Sequence, residues 1–143
     1  MWMSKNSGQV AAAAVARDEH GHYLGASALV LEGYKDAEVV EAMACHEGLA
    51  LASDLDLHSF WVASDCANAV RSFMGQGFGR YGLIVQEIND RRQSFTRAEF
   101  VFEGRRSNVD AHLVARSSIN LSIGRHMWFL EPLDGVCNSY SSD

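Results

Sequence analysis

Two short apolar runs joined by a polar segment constrain the fold of this chain most strongly. The runs cover residues 10–16 and 23–31, and the segment between them, residues 17–22, is polar and contains Gly21. Two such runs around a short turn with Asp and Gly are typical of a β-hairpin. The alanines of the first run favour helix, and the hairpin is predicted against that preference.

Residues 36–55 show the clearest helical pattern. Asp36 can cap the first turn, and the apolar face at helical spacing holds Val40, Ala44, Leu51 and Leu55. A second row beside that face holds Glu41, Cys45, Gly48 and Ala52. Small side chains in this row would let the helix approach a sheet closely. We therefore expect the helix to carry Glu41 to the sheet surface.

Strands and helices alternate along the rest of the chain. Strands are predicted at residues 59–64 and 98–103, and helices at residues 66–74, 81–93 and 108–120. Trp128, Phe129 and Leu130 are expected to pack on the domain before the chain frays. The order predicts the α/β class, with a mixed sheet covered by helices. We expect one domain over residues 1–135 and a flexible tail over 136–143.

The composition excludes several kinds of protein. The three cysteines, Cys45, Cys66 and Cys137, are odd in number and not closely spaced, which argues against a disulfide framework and a paired-cysteine zinc site. The first residues lack the apolar run of a signal peptide, and residues 10–16 are too few to span a bilayer. We expect an intracellular protein of the nucleus or cytoplasm.

The net charge of −6 is distributed unevenly. Residues 1–70 carry three basic side chains against ten acidic ones, a net −7, and residues 71–143 carry nine arginines against eight acids, a net +1. The overall acidity argues against a non-specific nucleic-acid coat protein. It leaves room for a local arginine face near an acidic, metal-binding cleft.

Two acids stand out by position. Glu41 lies in the helix expected to pack on the sheet, and Asp65 directly follows the strand at residues 59–64, where ligands commonly bind in open α/β sheets. Paired carboxylates suit Mg²⁺, and two such ions can promote phosphodiester cleavage. On the residues alone, other interpretations stay open, because a helical acid is often solvated and an Asp at a strand end often caps a helix.

Five segments, in order along the chain, resemble plant ribonuclease-H-like domains, which are reverse-transcriptase-like domains related to retroelement ribonuclease H. The matching segments are residues 15–18 with Gly21 for the hairpin, 41–52 for the first helix, 62–66 for the fourth strand, 108–116 for the last helix, and 124–128 with Pro132 for the tail. The resemblance covers roughly residues 5–135. It implies a ribonuclease-H-like mixed sheet covered by helices.

The resemblance also implies a site. Glu41 and Asp65 match two Mg²⁺ ligands of a two-ion site, and His112 falls where a residue positions water or helps the product leave; an ordinary polar residue on a packed helix fits His112 equally well. Asp110 lies two positions away on the helix and is expected on a different face. The implied activity is hydrolysis of the RNA strand of an RNA/DNA hybrid. The alternative is a catalytically inactive nucleic-acid or protein interaction module.

The first strand departs from the pattern. In the family this strand ends in an Asp that bridges both metals, whereas here the corresponding place holds residues 1–3 or precedes the chain, and no carboxylate comes before Asp18. We therefore expect the first strand to be truncated or missing. A truncated gene model or a fragment of a longer protein would explain this, and the missing acid motivates the inactive alternative.

Several arginines in the second half could contact nucleic-acid phosphates. They are Arg91, Arg92, Arg97, Arg105 and Arg106. The alternative is that they are solvated and pair with Asp90, Glu99 or Glu103.

Overall fold

The computed structural model describes residues 2–3, 8–33, 37–64, 70, 82–102 and 109–129. These residues form, in order, β1 (Trp2–Met3), β2 (Gln9–Arg17), β3 (Tyr23–Glu32), α1 (Ala37–Asp54), β4 (Ser59–Ser64), α2 (Gly82–Arg92), β5 (Arg97–Phe102), α3 (Val109–Ser118) and β6 (Gly124–Trp128). The mixed α/β class predicted from the sequence is confirmed. Most of the helix predicted at residues 66–74, and all of the tail at 136–143, lie outside the described residues. No helix in the described part is long and apolar enough to cross a membrane.

Strands β2 and β3 form the predicted antiparallel hairpin, with Gln9 opposite Glu32. Asp18 organises the turn, because its carboxylate accepts the backbone N–H of His20 at 2.9 Å and of His22 at 2.8 Å. Gly21 has a φ of 82° there, which costs a glycine little. Side chain and backbone together therefore fix the hairpin.

Three alanines of β2, Ala11, Ala12 and Ala13, are buried, and they lie on both faces of the strand. Ala11 and Ala13 pack in a cluster with Val114 of α3, whereas Ala12 packs with Val40 of α1. Successive strand residues point to opposite faces, so the two helices cover opposite sides of the hairpin. This tertiary burial overrides the helix preference of alanine.

The described strands form two sheets. One has the order β1-β2-β3-β6 with antiparallel neighbours, and the other pairs β4 and β5 in parallel. Helix α1 packs on β2, β3 and β4 and so bridges the two. A second core lies between α1, α2 and the parallel pair, where Leu49, Ile88 and Phe100 are buried together. Within the described residues, strand β1 covers Trp2–Met3, and the truncation of the first strand stays a prediction.

Strand β6 was not predicted. It pairs with β3, with Ala26 opposite Trp128, and the Tyr23 hydroxyl donates to the Trp128 carbonyl. Trp128 packs, partly buried, against the cluster that contains Ala11, so the expected packing of the aromatic cluster holds for this residue. The segment Gly-Arg-His-Met-Trp lacks an alternation of apolar and polar residues, which leaves no strand signal to read.

Candidate active-site cleft

A cleft of about 760 Å³ lies between β2, β4, α1 and α3. Residues 13–17 of β2 and 60–64 of β4 line it, together with residues of both helices. Its volume is within the range of clefts that bind small ligands. Helices α1 and α3 carry Glu41 and His112, which were predicted for the site, and strand β4 directly precedes Asp65.

Helix α1 turns its row of small residues towards the cleft, which is lined by Glu41, Cys45, Gly48 and Ala52. A Cβ atom placed on Gly48 would lie 3.4 Å from Val62 Cγ1 and 4.0 Å from Ala14 Cβ. The helix therefore lies so close to both strands that a methyl group at Gly48 would be in van der Waals contact with each of them. This close packing carries Glu41, which is partly buried, to the cleft.

Strand β4 ends at the same cleft. Its last residue, Ser64, is 5% exposed and lines the cleft. Asp65 follows directly in the sequence but lies outside the described residues. Its participation in a site with Glu41 therefore stays a prediction.

Helix α3 contributes His112 and Asp110, which both line the cleft, although their spacing on a helix predicted different faces. Asp110 forms an ion pair with Arg17 of β2, and Arg17 Nη1 also donates to the Gly21 carbonyl at 3.2 Å. The spacing gave no sign of this pair, because its partners are 93 positions apart. Arg17 offsets the charge of Asp110, which makes that carboxylate a poorer candidate for a metal ligand.

The hairpin turn adds acidic groups, since Asp18 and Glu19 also line the cleft. The hydrogen bond from the backbone N–H of His22 holds the pKa of Asp18 below its usual value, and contacts with His20 and the His22 ring add to this. Asp18 is therefore ionised at neutral pH. With Glu41 nearby and Asp110 offset by Arg17, the lining carries an excess of acidic side chains, which favours cations.

The donor chemistry fits Mg²⁺ only in part. Glu41 offers carboxylate oxygen, which Mg²⁺ prefers. Over the described ranges, however, no group of three or more His, Cys, Asp or Glu side chains could hold a metal ion. A magnesium site here therefore depends on Asp65 joining Glu41.

Two of the predicted phosphate-contacting arginines end helix α2. Arg92 is tied to the fold, because its Nε donates to the Ala98 carbonyl at 2.6 Å and its guanidinium lies 5.3 Å from the centre of the Phe100 ring. Arg91 is exposed, and its Nη1 lies 3.5 Å from Nε2 of His46. Of the two, Arg91 is therefore better placed to meet a phosphate.

The other predicted phosphate-contacting arginines are Arg97, Arg105 and Arg106. Arg97 pairs with Glu99 at 2.9 Å on the exposed edge of β5, as the solvated alternative proposed. Arg105 and Arg106 lie outside the described residues. Their contact with nucleic acid stays a prediction.

Comparison with known proteins agrees with this architecture. The profile of the reverse transcriptase-like family matches residues 2–118. Among solved structures, the N-terminal RNase H domain of rv2228c from Mycobacterium tuberculosis, solved as a fusion with maltose binding protein, is similar with a TM-score of 0.57 and 18% sequence identity, over 78% of this chain and 93% of that chain. A comparison with curated protein sequences finds no match. The chain thus has the fold of an RNase H domain and belongs to the reverse transcriptase-like family.

Proposed function

We propose that this domain binds an RNA/DNA hybrid at the cleft and hydrolyses its RNA strand, with Glu41 and Asp65 as Mg²⁺ ligands and His112 as a catalytic residue. One observation carries the proposal: Glu41 of α1, His112 of α3 and the end of β4, directly before Asp65, line the same cleft. These positions are far apart in the sequence. Membership of the reverse transcriptase-like family supports nucleic acid as the ligand.

The charge of the cleft supports a cation-dependent ligand. Asp18, Glu19 and Glu41 line it, so an anionic phosphodiester would be repelled by the protein alone. Ligation of a divalent cation by Glu41 and Asp65 would replace that repulsion with attraction. When bound, Mg²⁺ supplies a more acidic water and stabilises charge on the leaving oxygen.

The chain's own residues hold and orient the reacting groups. Glu41 stands on a helix that packs closely on both neighbouring strands at Gly48, and such support keeps a carboxylate in place without reorganisation. His112 stands on the opposite wall, formed by α3. The imidazole of His112 can therefore orient the attacking water or donate a proton to the leaving oxygen.

The test is Mg²⁺-dependent cleavage of a fluorescently labelled RNA/DNA hybrid. We expect Glu41→Gln and Asp65→Asn each to lower the rate by about 100-fold or more, the scale seen when one charge-stabilising group is removed. Matched controls are Glu32→Gln and Asp56→Asn, which remove exposed acids outside the cleft and should leave the rate unchanged. A wild-type chain that cuts at no Mg²⁺ or Mn²⁺ concentration would overturn the enzymatic part.

A catalytically inactive binding module is the second candidate. The observation that favours it is that, within the residues the structure describes, no group of three or more His, Cys, Asp or Glu side chains could hold a metal ion. Affinity for the hybrid as a function of salt would count the neutralised phosphates. Salt-dependent binding without cleavage, unchanged by Asp65→Asn, would establish this module. If no nucleic acid binds at low salt, a protein partner is the remaining role.

A further inference from the structure

Helix α3 carries His112 near its beginning, ahead of the residues that the fold buries. The buried residues of this helix are Val114, Ala115 and Ser118. In the first turn, Val109 is 56% exposed, and residues 110–112 are only partly buried. The ends of a helix open more readily than its packed middle, so the position of His112 depends on what holds this first turn.

The ion pair between Asp110 and Arg17 ties the first turn of α3 to strand β2. Arg17 Nη2 donates to the Asp110 carboxylate, and Arg17 Nη1 donates to the Gly21 carbonyl at 3.2 Å. One guanidinium thus joins α3 to the hairpin turn. Both side chains are mostly buried, with exposed fractions of 15% and 19%, and the planar fork of arginine loses less freedom per hydrogen bond than lysine does. The pair therefore gives the turn a fixed contact with the sheet.

The course of β2 directs Arg17 towards α3. Ala13 packs in the cluster that contains Val114 of α3, and alternation along the strand places Arg17 on the same face. The pairing with β3 changes register between Ala16 and Arg17, which lies opposite Tyr23. Irregularities of this kind are common next to active sites, where they redirect a side chain or end the pairing. Arg17 stands at such a point, on the border of the cleft.

The anchored residue lies close to the imidazole. His112 follows Asp110 by two residues, which is about 3 Å along a helix axis, and both line the cleft. A shift of the first turn would therefore displace the His112 ring by a similar amount. Misplacement of a reacting group by about 1 Å can lower a rate about 100-fold.

We propose that Arg17 and Asp110 are positioning residues, which hold the first turn of α3 so that the His112 imidazole keeps one orientation in the cleft. The inference rests on the proposed function for the part that His112 plays in hydrolysis. Because Arg17 engages the Asp110 carboxylate, the pair acts on the site through the helix and not as a ligand of a metal.

The first readout needs no activity, because it is the NMR signal of the His112 Cε1–H group in the full chain. We expect Asp110→Asn and Arg17→Met each to broaden this signal, since exchange between orientations on the microsecond-to-millisecond timescale does so. An effect of charge alone would instead shift the signal in opposite directions in the two variants. The controls are Asp90→Asn, at an exposed position of α2, and Ile88→Val, which loosens the second core. Neither should broaden it.

The second readout is cleavage of the RNA/DNA hybrid. We expect Asp110→Asn and Arg17→Met each to lower kcat about 10-fold with KM unchanged, the pattern of an interaction that matters only in the transition state. Arg17→Lys keeps the charge but lacks the fork, so its kcat should fall between that of the wild type and that of Arg17→Met.

Three outcomes would overturn the proposal. These are an unchanged His112 signal in both variants, opposite shifts without broadening, or an equal loss of kcat in Ile88→Val, which would assign the effect to general stability. A wild-type chain that cleaves no hybrid would end the proposed nuclease function. The His112 signal would still decide whether Arg17 and Asp110 position this ring.

Discussion

Helix α1 carries acids on two sides. We call the side paired with Arg125 of β6 the closed side, and the side that lines the cleft the open side. On the closed side, Glu47 is 3% exposed and accepts a hydrogen bond from Arg125 Nε, while Asp54 lies 2.6 Å from Arg125 Nη1. We call these three residues the latch. On the open side, Glu41 lines the cleft. The same residue type, six positions apart on one helix, is paired with Arg125 at one place and lines the cleft at the other.

The latch shows how a buried acid is stabilised. Burial alone would lower the pKa of Arg125, but its hydrogen bonds to Glu47 and Asp54 outweigh this and raise the pKa. A raised pKa in a base means that the charged form stabilises the fold at every pH below its unfolded value. Arg125 is therefore charged throughout the physiological range, and it offers a cation to the buried side chain of Glu47.

Breaking the latch should have the largest effect. Arg125→Met leaves Glu47 buried without its cation, and we expect the free energy of unfolding in urea to fall by about 3 kcal/mol, at the low end for buried pairs because the Arg125 side chain is 29% exposed. The double variant Glu47→Met/Arg125→Met should recover most of the loss. A single variant that costs less than about 1 kcal/mol would show that the latch does not hold β6.

On the open side, replacing Gly48 by side chains of different size tests how closely α1 packs on the strands. Because a Cβ there would meet Val62 at 3.4 Å, Gly48→Ala should be neutral or raise the free energy of unfolding by up to about 1 kcal/mol through helix propensity. Gly48→Leu should lower it by about 1–3 kcal/mol, the usual cost of overpacking. Chemical denaturation distinguishes these results. Equal stability of the two variants would mean that α1 is not held close to β2 and β4.

The ion pair between Arg17 and Asp110 lies in the cleft wall, and we expect it to contribute less to stability than the latch. Asp110→Asn should lower the free energy of unfolding by about 1 kcal/mol, less than for a fully buried charged hydrogen bond because the side chains are 15% and 19% exposed. A double-mutant cycle with Arg17→Met isolates the coupling. The control Asp90→Asn, at an exposed position of α2, should change stability little.

The smallest effect is expected at the hairpin turn. The lowered pKa of Asp18 in the fold means that its ionised form stabilises the hairpin above the unfolded pKa, and this stabilisation is lost as pH falls through the folded value. Asp18→Ala should therefore lower the Tm slightly at pH 7, and the difference should close below the ordinary value of 3.8. Thermal melts across pH measure it, with Glu19→Ala as control. A difference that persists in acid would assign the effect to lost packing.

The periodicity of apolar residues in the sequence predicted the elements whose burial pattern is visible within a short segment. The hairpin and helix α1 follow from apolar periodicity, and the row of small residues beside the apolar face placed Glu41 at the sheet. Strand β6 could not be predicted, because its apolar residues do not alternate and its partner β3 is about 100 residues away. The latch and the pair between Arg17 and Asp110 were missed for the same reason, since their partners are 78 and 93 positions apart.

The late position of β6 in the chain has a consequence for synthesis on the ribosome. The hairpin of β2 and β3 is made of contacts close in sequence and can form early, and domains generally fold from the N-terminus as they emerge. The outer edge of β3 must then wait for residues 124–128 before Met127 can lie opposite Ser27. During that interval the edge is open to other chains. We therefore expect chains truncated before Gly124 to aggregate during expression.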